Sequence, residues 1–191
     1  MTGNNEKTYQ RNRSRFWRRW LTRWLTDRLR TRSEETRTYI LQALGKIGDE
    51  TALPVILDAA RDANSTIRRF AVSALADLGD AQAIDALIVA LDDSETDIRT
   101  AAAMELGLLG DSRVGPRVRG GFEEVGRKAE NALIVLLNDK EVSVRAQAII
   151  ALGHLGSSRA LPLLNQMMAT ESSEWMRRYI SQAVREIEGE R

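Results

Sequence analysis

The 191-residue chain offers few side chains able to run a reaction. It has one histidine, His154, and no cysteine, so neither a thiolate cluster nor a histidine pair is available to a metal. Glu123 and Glu124 are adjacent, and neighbours on a helix point apart, so they do not converge as a general acid and base. No glycine-rich phosphate loop and no Ser/His/Asp arrangement occurs. The expectation is a non-enzymatic chain with no catalytic residues, no metal and no cofactor.

The chemistry that does stand out is that of binding. Residues 1–32 carry ten basic side chains against two acids, a net +8, whereas residues 33–191 carry 18 against 25, a net −7. Half of the ten aromatic residues (Tyr9, Phe16, Trp17, Trp20 and Trp24) also fall in that first segment. Advancing about 100° per residue from Phe16 puts Trp20 at about 40°, Trp24 at about 80° and Trp17 at about 100°. Arg19 and Arg23 fall at about 300° and 340° on the same wheel. Residues 16–32 thus predict a basic, Trp-rich amphipathic helix, preceded over 1–15 by a basic stretch without apolar pattern that reads as a flexible arm.

Three docks suit such a helix. One is an anionic membrane interface, where indoles favour the headgroup zone and arginines attract lipid charge. Another is a groove on a protein or ribonucleoprotein, since Trp and Arg dominate binding hot spots and arginines neutralise phosphates. The last is the chain's own first structural unit, as a cap. A cap does not need eight net positive charges, so an external acidic surface is the expectation, with Phe16, Trp17, Arg19, Trp20, Arg23 and Trp24 as contact residues.

The acidic remainder repeats itself. Aligned on Arg37, Arg68, Arg99, Arg145 and Arg177, apolar or small residues recur at the third, sixth, seventh and tenth positions onward, save for Glu105 at the sixth position of the third copy. Ile47-Gly48-Asp49, Leu78-Gly79-Asp80, Leu109-Gly110-Asp111 and Leu155-Gly156-Ser157 close four of the five copies. The apolar spacing is that of a helix, the glycine suits its left-handed end, and the following Asp suits the cap of a second helix, with Pro54, Pro116 and Pro162 near that helix's start. Each copy therefore predicts a helical hairpin that buries its faces only by stacking on its neighbours.

The pattern R-x-x-A-x-x-A-L-G-x-[IL]-G-D, with Asp62, Asp93 and Asp139 six residues before the next Arg, resembles the short HEAT-like repeats of phycobilisome lyases and related proteins over roughly residues 33–188. The resemblance implies a right-handed α-solenoid, here four full repeats and a terminal half repeat. It also implies that Asp62, Asp93 and Asp139 form a structural ladder with Arg68, Arg99 and Arg145. The iron-binding His-Glu pairs of HEAT-like hydroxylases are missing. The net −7 of the repeats argues against phosphate binding by the stack itself.

The step from Arg99 to Arg145 is 46 residues where the others are 31 or 32. The surplus predicts an insertion at about 112–128 that leaves the turn of the third hairpin as a loop. Arg113, Arg117, Arg119 and Phe122 are candidates for a second contact, because long loops often carry recognition. The longest wholly apolar runs are six residues, 86–91 and 132–137, against the about 20 of a spanning helix. The expectation is an all-α cytoplasmic scaffold or assembly subunit within a larger complex, peripheral on a membrane where its first helix docks. Its alternatives are a nucleic-acid or ribonucleoprotein adaptor using the N-terminal arm, and a phycobilin lyase-like chromophore-handling protein.

Overall fold

The computed structural model describes residues 3–29, 33–110 and 122–189, with side chains over 16–29, 33–109 and 126–189. These residues form ten α-helices and no strand. They fall into two compact units, Met1–Leu78 and Gly79–Arg191.

In the first unit, α1 (Gly3–Leu29) precedes α2 (Glu34–Ile47), α3 (Leu53–Ala59) and α4 (Ser65–Leu78). Gly48 ends α2 with φ 64°, a left-handed conformation that a β-carbon resists. Asp49 then accepts the Thr51 N–H at 3.0 Å and starts a single 3-10 turn, after which Pro54 occupies the first turn of α3. α2 lies along α4, α3 packs on α4, and α1 packs on α2 and on the 3-10 turn. Leu41, Leu44, Ile56, Ile67 and Leu75 are fully sealed in this core, each stabilising it by about 1.5–3 kcal/mol.

α1 differs from the sequence expectation at its start. The helix was expected from Phe16, after a flexible arm over 1–15, but it runs back to Gly3. The early segment carries Glu6, Lys7, Gln10 and three Arg, which lose little rotamer freedom in a helix, and it has no proline. Helix continuation there does not require an apolar stripe.

In the second unit, α5 (Ala81–Ala90), α6 (Thr96–Gly110), α7 (Phe122–Leu136), α8 (Val142–Leu155), α9 (Leu161–Thr170) and α10 (Glu174–Glu188) follow one another. α6 lies along α8 and α8 along α10; α5 packs on α6 and α7, α7 on α8, and α9 on α10. α7 holds another correction. The expected loop insertion reached residue 128, yet residues 122–128 form the first turns of this helix.

One packing step recurs in both units. A β-carbon added at Gly45 of α2 would lie 2.9 Å from Ala74 Cα of α4, and one at Gly153 of α8 would lie 3.0 Å from Ala183 Cα of α10. Each glycine is the eighth residue after its repeat arginine, and each alanine the sixth after the next. The stacked helices approach so closely because those positions carry no bulk.

The arginines at the head of each repeat tie the loops together. In the first unit Arg37 is ion-paired with the Asp62 carboxylate, while Arg68 donates to the Asp62 carbonyl at 2.9 Å. In the second unit Arg99 forks onto both Asp139 oxygens, Nε at 2.8 Å and Nη2 at 3.2 Å, and Arg145 donates to the Asp139 carbonyl at 2.8 Å. Arg99 also reaches back to the Asp93 carbonyl at 2.8 Å, as Arg177 does to the Glu171 carbonyl at 3.4 Å. Burial alone would raise the Asp62 and Asp139 carboxyls. The Arg37 and Arg99 guanidinium groups, helped by the backbone N–H groups of Asn64 and Glu141, outweigh it and hold both below the ordinary aspartate value. The hydrogen bond to Asp139 in turn raises Arg99.

Candidate interaction surface on the first helix

α1 has two unlike sides. Thr22, Leu25 and Leu29 are buried, and they lie about 180–240° around the helix from Phe16, opposite the tryptophan stripe. This is the side on which α1 meets α2 and the 3-10 turn. Phe16, Trp17, Trp20 and Trp24 remain 65, 54, 51 and 39% exposed, and Leu21 beside them is also exposed. The helix therefore covers the first hairpin without using its indoles to do so.

The exposed rings hold one another. Phe16 and Trp17 meet edge to face at 6.0 Å, and Trp17 and Trp20 do so at 5.8 Å. The Arg28 guanidinium lies 3.7 Å from the centre of the Trp24 ring and also donates to the Trp24 carbonyl at 3.4 Å, a cation–π contact that fixes the ring. Arg18, Arg19 and Arg23 are exposed around this block. The result is a contiguous aromatic surface bordered by cations.

A cleft of about 540 Å³ opens between α1 and the 3-10 turn, lined by Phe16, Arg19, Trp20, Thr22, Arg23, Thr26 and Thr51. Among the described residues, Arg19 and Arg23 have neither an ion-pair nor a hydrogen-bond partner. The Oγ1 atoms of Thr22 and Thr26 are buried and likewise unpartnered, although buried hydroxyls ordinarily find a partner.

The other sequence candidates are placed as follows. Arg113, Arg117 and Arg119 lie outside the described residues, and Phe122 opens α7 with its side chain outside them. The expected ladder residues take the places given above, and Arg37, which that expectation omitted, pairs with Asp62. His154 lies in the last turn of α8, partly buried, with Nε2 4.0 Å from Glu186 Oε2 on α10. Composition gave no hint of a second exposed aromatic pair, Trp175 and Tyr179 on α10, whose rings meet edge to face at 5.8 Å. Among the described residues no three metal-ligating side chains converge, and no helix is long and apolar enough to cross a membrane.

Comparison with known proteins agrees with this architecture. No curated protein matches the sequence. Among solved structures, the complex of CpcE and CpcF of phycocyanin lyase from Nostoc sp. is similar at 27% identity and TM-score 0.66, over 85% of this chain and 96% of that one. A designed armadillo repeat protein in complex with the peptide (KR)4 is similar at 19% identity and TM-score 0.60, over 85% of this chain and 80% of that one. YibA of E. coli is similar at 18% identity and TM-score 0.51, over 90% of this chain and 69% of that one. The last two likenesses speak for the fold alone. The HEAT-repeat description matches residues 22–107, 54–125 and 117–185, which together span the hairpins and much of the first helix's docking side, and the chain belongs to the HEAT-repeat family.

Proposed function

We propose that the protein is a non-enzymatic scaffold: its repeats hold a protein partner, and the outer face of α1 holds the scaffold against an anionic surface, that of a membrane or a large complex. The observation that carries this reading is the division of labour on α1. Leu25 and Leu29 dock the helix on the first hairpin, while Phe16, Trp17, Trp20 and Trp24 stay 65, 54, 51 and 39% exposed. A cap would place its largest apolar groups inward, because burying each indole removes the most surface from water. Contiguous exposed aromatics on a folded chain mark an interaction site, and the net +8 of residues 1–32 selects an acidic one. The net −7 of residues 33–191 favours a protein partner with a basic face along the repeats. Arg113, Arg117, Arg119 and Phe122 would give a second contact.

The test is fractionation of a native extract by sedimentation. The intact chain should travel with membranes or large assemblies, and a Trp17→Ser/Trp20→Ser/Trp24→Ser variant with unchanged helicity should move to the supernatant. Identical distribution of both forms contradicts the tether.

A second reading follows from the likeness to CpcE and CpcF. At 27% identity over nearly the whole of that chain, a role in handling a phycobilin alongside a paired HEAT-like subunit is supported by shared fold and repeat frame. A bilin-transfer assay with the native complex decides it; transfer that depends on this chain would replace the scaffold reading.

A further inference from the structure

The cleft beside α1 sets two arginines over two buried hydroxyls. Elsewhere the arginines that head the repeats are engaged with loop carbonyls and aspartates. Arg19 and Arg23 stand one helical turn apart on the cleft wall with no partner among the described residues. Below them lie two threonine hydroxyls without a hydrogen bond, one on a residue that is 1% exposed. Phe16 and Trp20 form the remaining wall and join it to the exposed aromatic block.

Resting on the tether reading, we propose that this cleft is a headgroup site that takes the phosphodiester of an anionic phospholipid. Guanidinium forks suit phosphate oxygens. Arg19 and Arg23 are separated by about 6 Å along the helix axis, close enough to share one phosphate from two sides. Threonine in a helix has two accessible χ1 rotamers, so Thr22 and Thr26 can turn their hydroxyls to donate to a phosphate that enters. The apolar wall of Phe16 and Trp20 then meets the glycerol and upper acyl region, while Trp17 and Trp24 lie at the interface.

Two other occupants fit less well. A second copy of the chain would bring two segments of net +8 together. A nucleic acid would need open ring faces for its bases, and one face of Trp24 is covered by Arg28.

The experiment is flotation and binding of the full chain on phosphatidylcholine vesicles with and without phosphatidylglycerol. Arg18→Gln, which removes an exposed cation outside the cleft, should weaken binding about fivefold, the loss expected from charge alone. Arg19→Gln and Arg23→Gln should each weaken it by about tenfold more than that, because a fork on the phosphate is lost as well as a charge. Thr22→Val keeps the charge and removes an unpartnered buried hydroxyl, so it should weaken vesicle binding several-fold, by about the loss of one hydrogen bond to a charged group, without lowering the melting temperature.

If the chain binds neither vesicle type, the tether reading itself fails. If it floats on anionic vesicles but Arg19→Gln, Arg23→Gln and Thr22→Val behave no differently from Arg18→Gln and the parent, the cleft proposal is overturned while the tether stands. Displacement from vesicles by inorganic phosphate alone would assign the cleft to a soluble anion. Tighter binding to single-stranded RNA that displaces the vesicles would assign it to nucleic acid. Either result overturns the lipid assignment.

Discussion

Gly107 of α6 faces Ala151 of α8 so closely that a β-carbon on the glycine would stand 2.7 Å from the alanine Cα. It would meet backbone rather than the far end of a flexible side chain, so the two helices would have to separate. Gly107→Ala is expected to destabilise the second unit by about 1–3 kcal/mol, the usual cost of overpacking. Gly156→Ala tests the contrasting cause. Nothing lies within 4 Å of its added β-carbon, but its φ is 65°, so the cost of about 1 kcal/mol comes from the left-handed backbone. Urea midpoints at unchanged slope measure both.

The fork from Arg99 to Asp139 is mostly sealed from water, with side chains 6 and 10% exposed. Asp139→Asn leaves a buried guanidinium without its countercharge, and a loss of about 3 kcal/mol is expected in chemical denaturation.

The same aspartates set an acid limit. The folded-state values of Asp62 and Asp139 lie below the ordinary one, so their stabilisation is fully present above the unfolded value of about 3.9 and disappears as pH falls through the lowered folded values. Melting temperatures of the native chain should therefore drop as pH falls below about 4, and Asp139→Asn should drop less steeply over that window. Parallel curves for the two proteins would show that the pair contributes nothing to the acid transition.

Much of this fold is legible in the sequence. The arginine-anchored period, the Gly-Asp ends and the helix–helix stacking all follow from spacing, because a repeat multiplies one local signal. The apolar stripe was drawn too narrow. Ile67, Ile98, Val144 and Met176, just before their arginines, and Leu41, Val72 and Ile149, four residues after theirs, are also buried. The fourth position lies about 40° around the helix from the arginine, beyond the edge of the stripe, and one hairpin's pattern does not show how many neighbours it will have. The exposed rings of α1 were legible from the wheel, but its docking side was not. Thr22, Leu25 and Leu29 form a weak stripe beside four aromatics, and only the mass of charge around the aromatics argued that they face outward. The start of α1 at Gly3 and of α7 at Phe122 was hidden because residues 3–15 lack an apolar pattern and the surplus between Arg99 and Arg145 reads as a loop.

The docking side predicts its own failure mode. Leu29→Ala should loosen α1 from α2, at about 2–3 kcal/mol for a buried leucine, and trypsin should then cut the arginine-rich α1 faster than it cuts the repeats. Trp17→Ala, which removes an exposed ring, should leave the digestion rate unchanged. Mass spectrometry of the early fragments separates the two.

The outward indoles are the centre of the account, and their own fluorescence reports on them. Three of the four tryptophans lie on α1, so a Trp175→Phe chain emits only from Trp17, Trp20 and Trp24. Titrated with phosphatidylglycerol vesicles, its emission should shift to the blue and be quenched by lipid brominated on the acyl chains, with no change on phosphatidylcholine alone. Emission that stays at the water-exposed wavelength through the whole anionic titration would contradict docking of this face on a membrane.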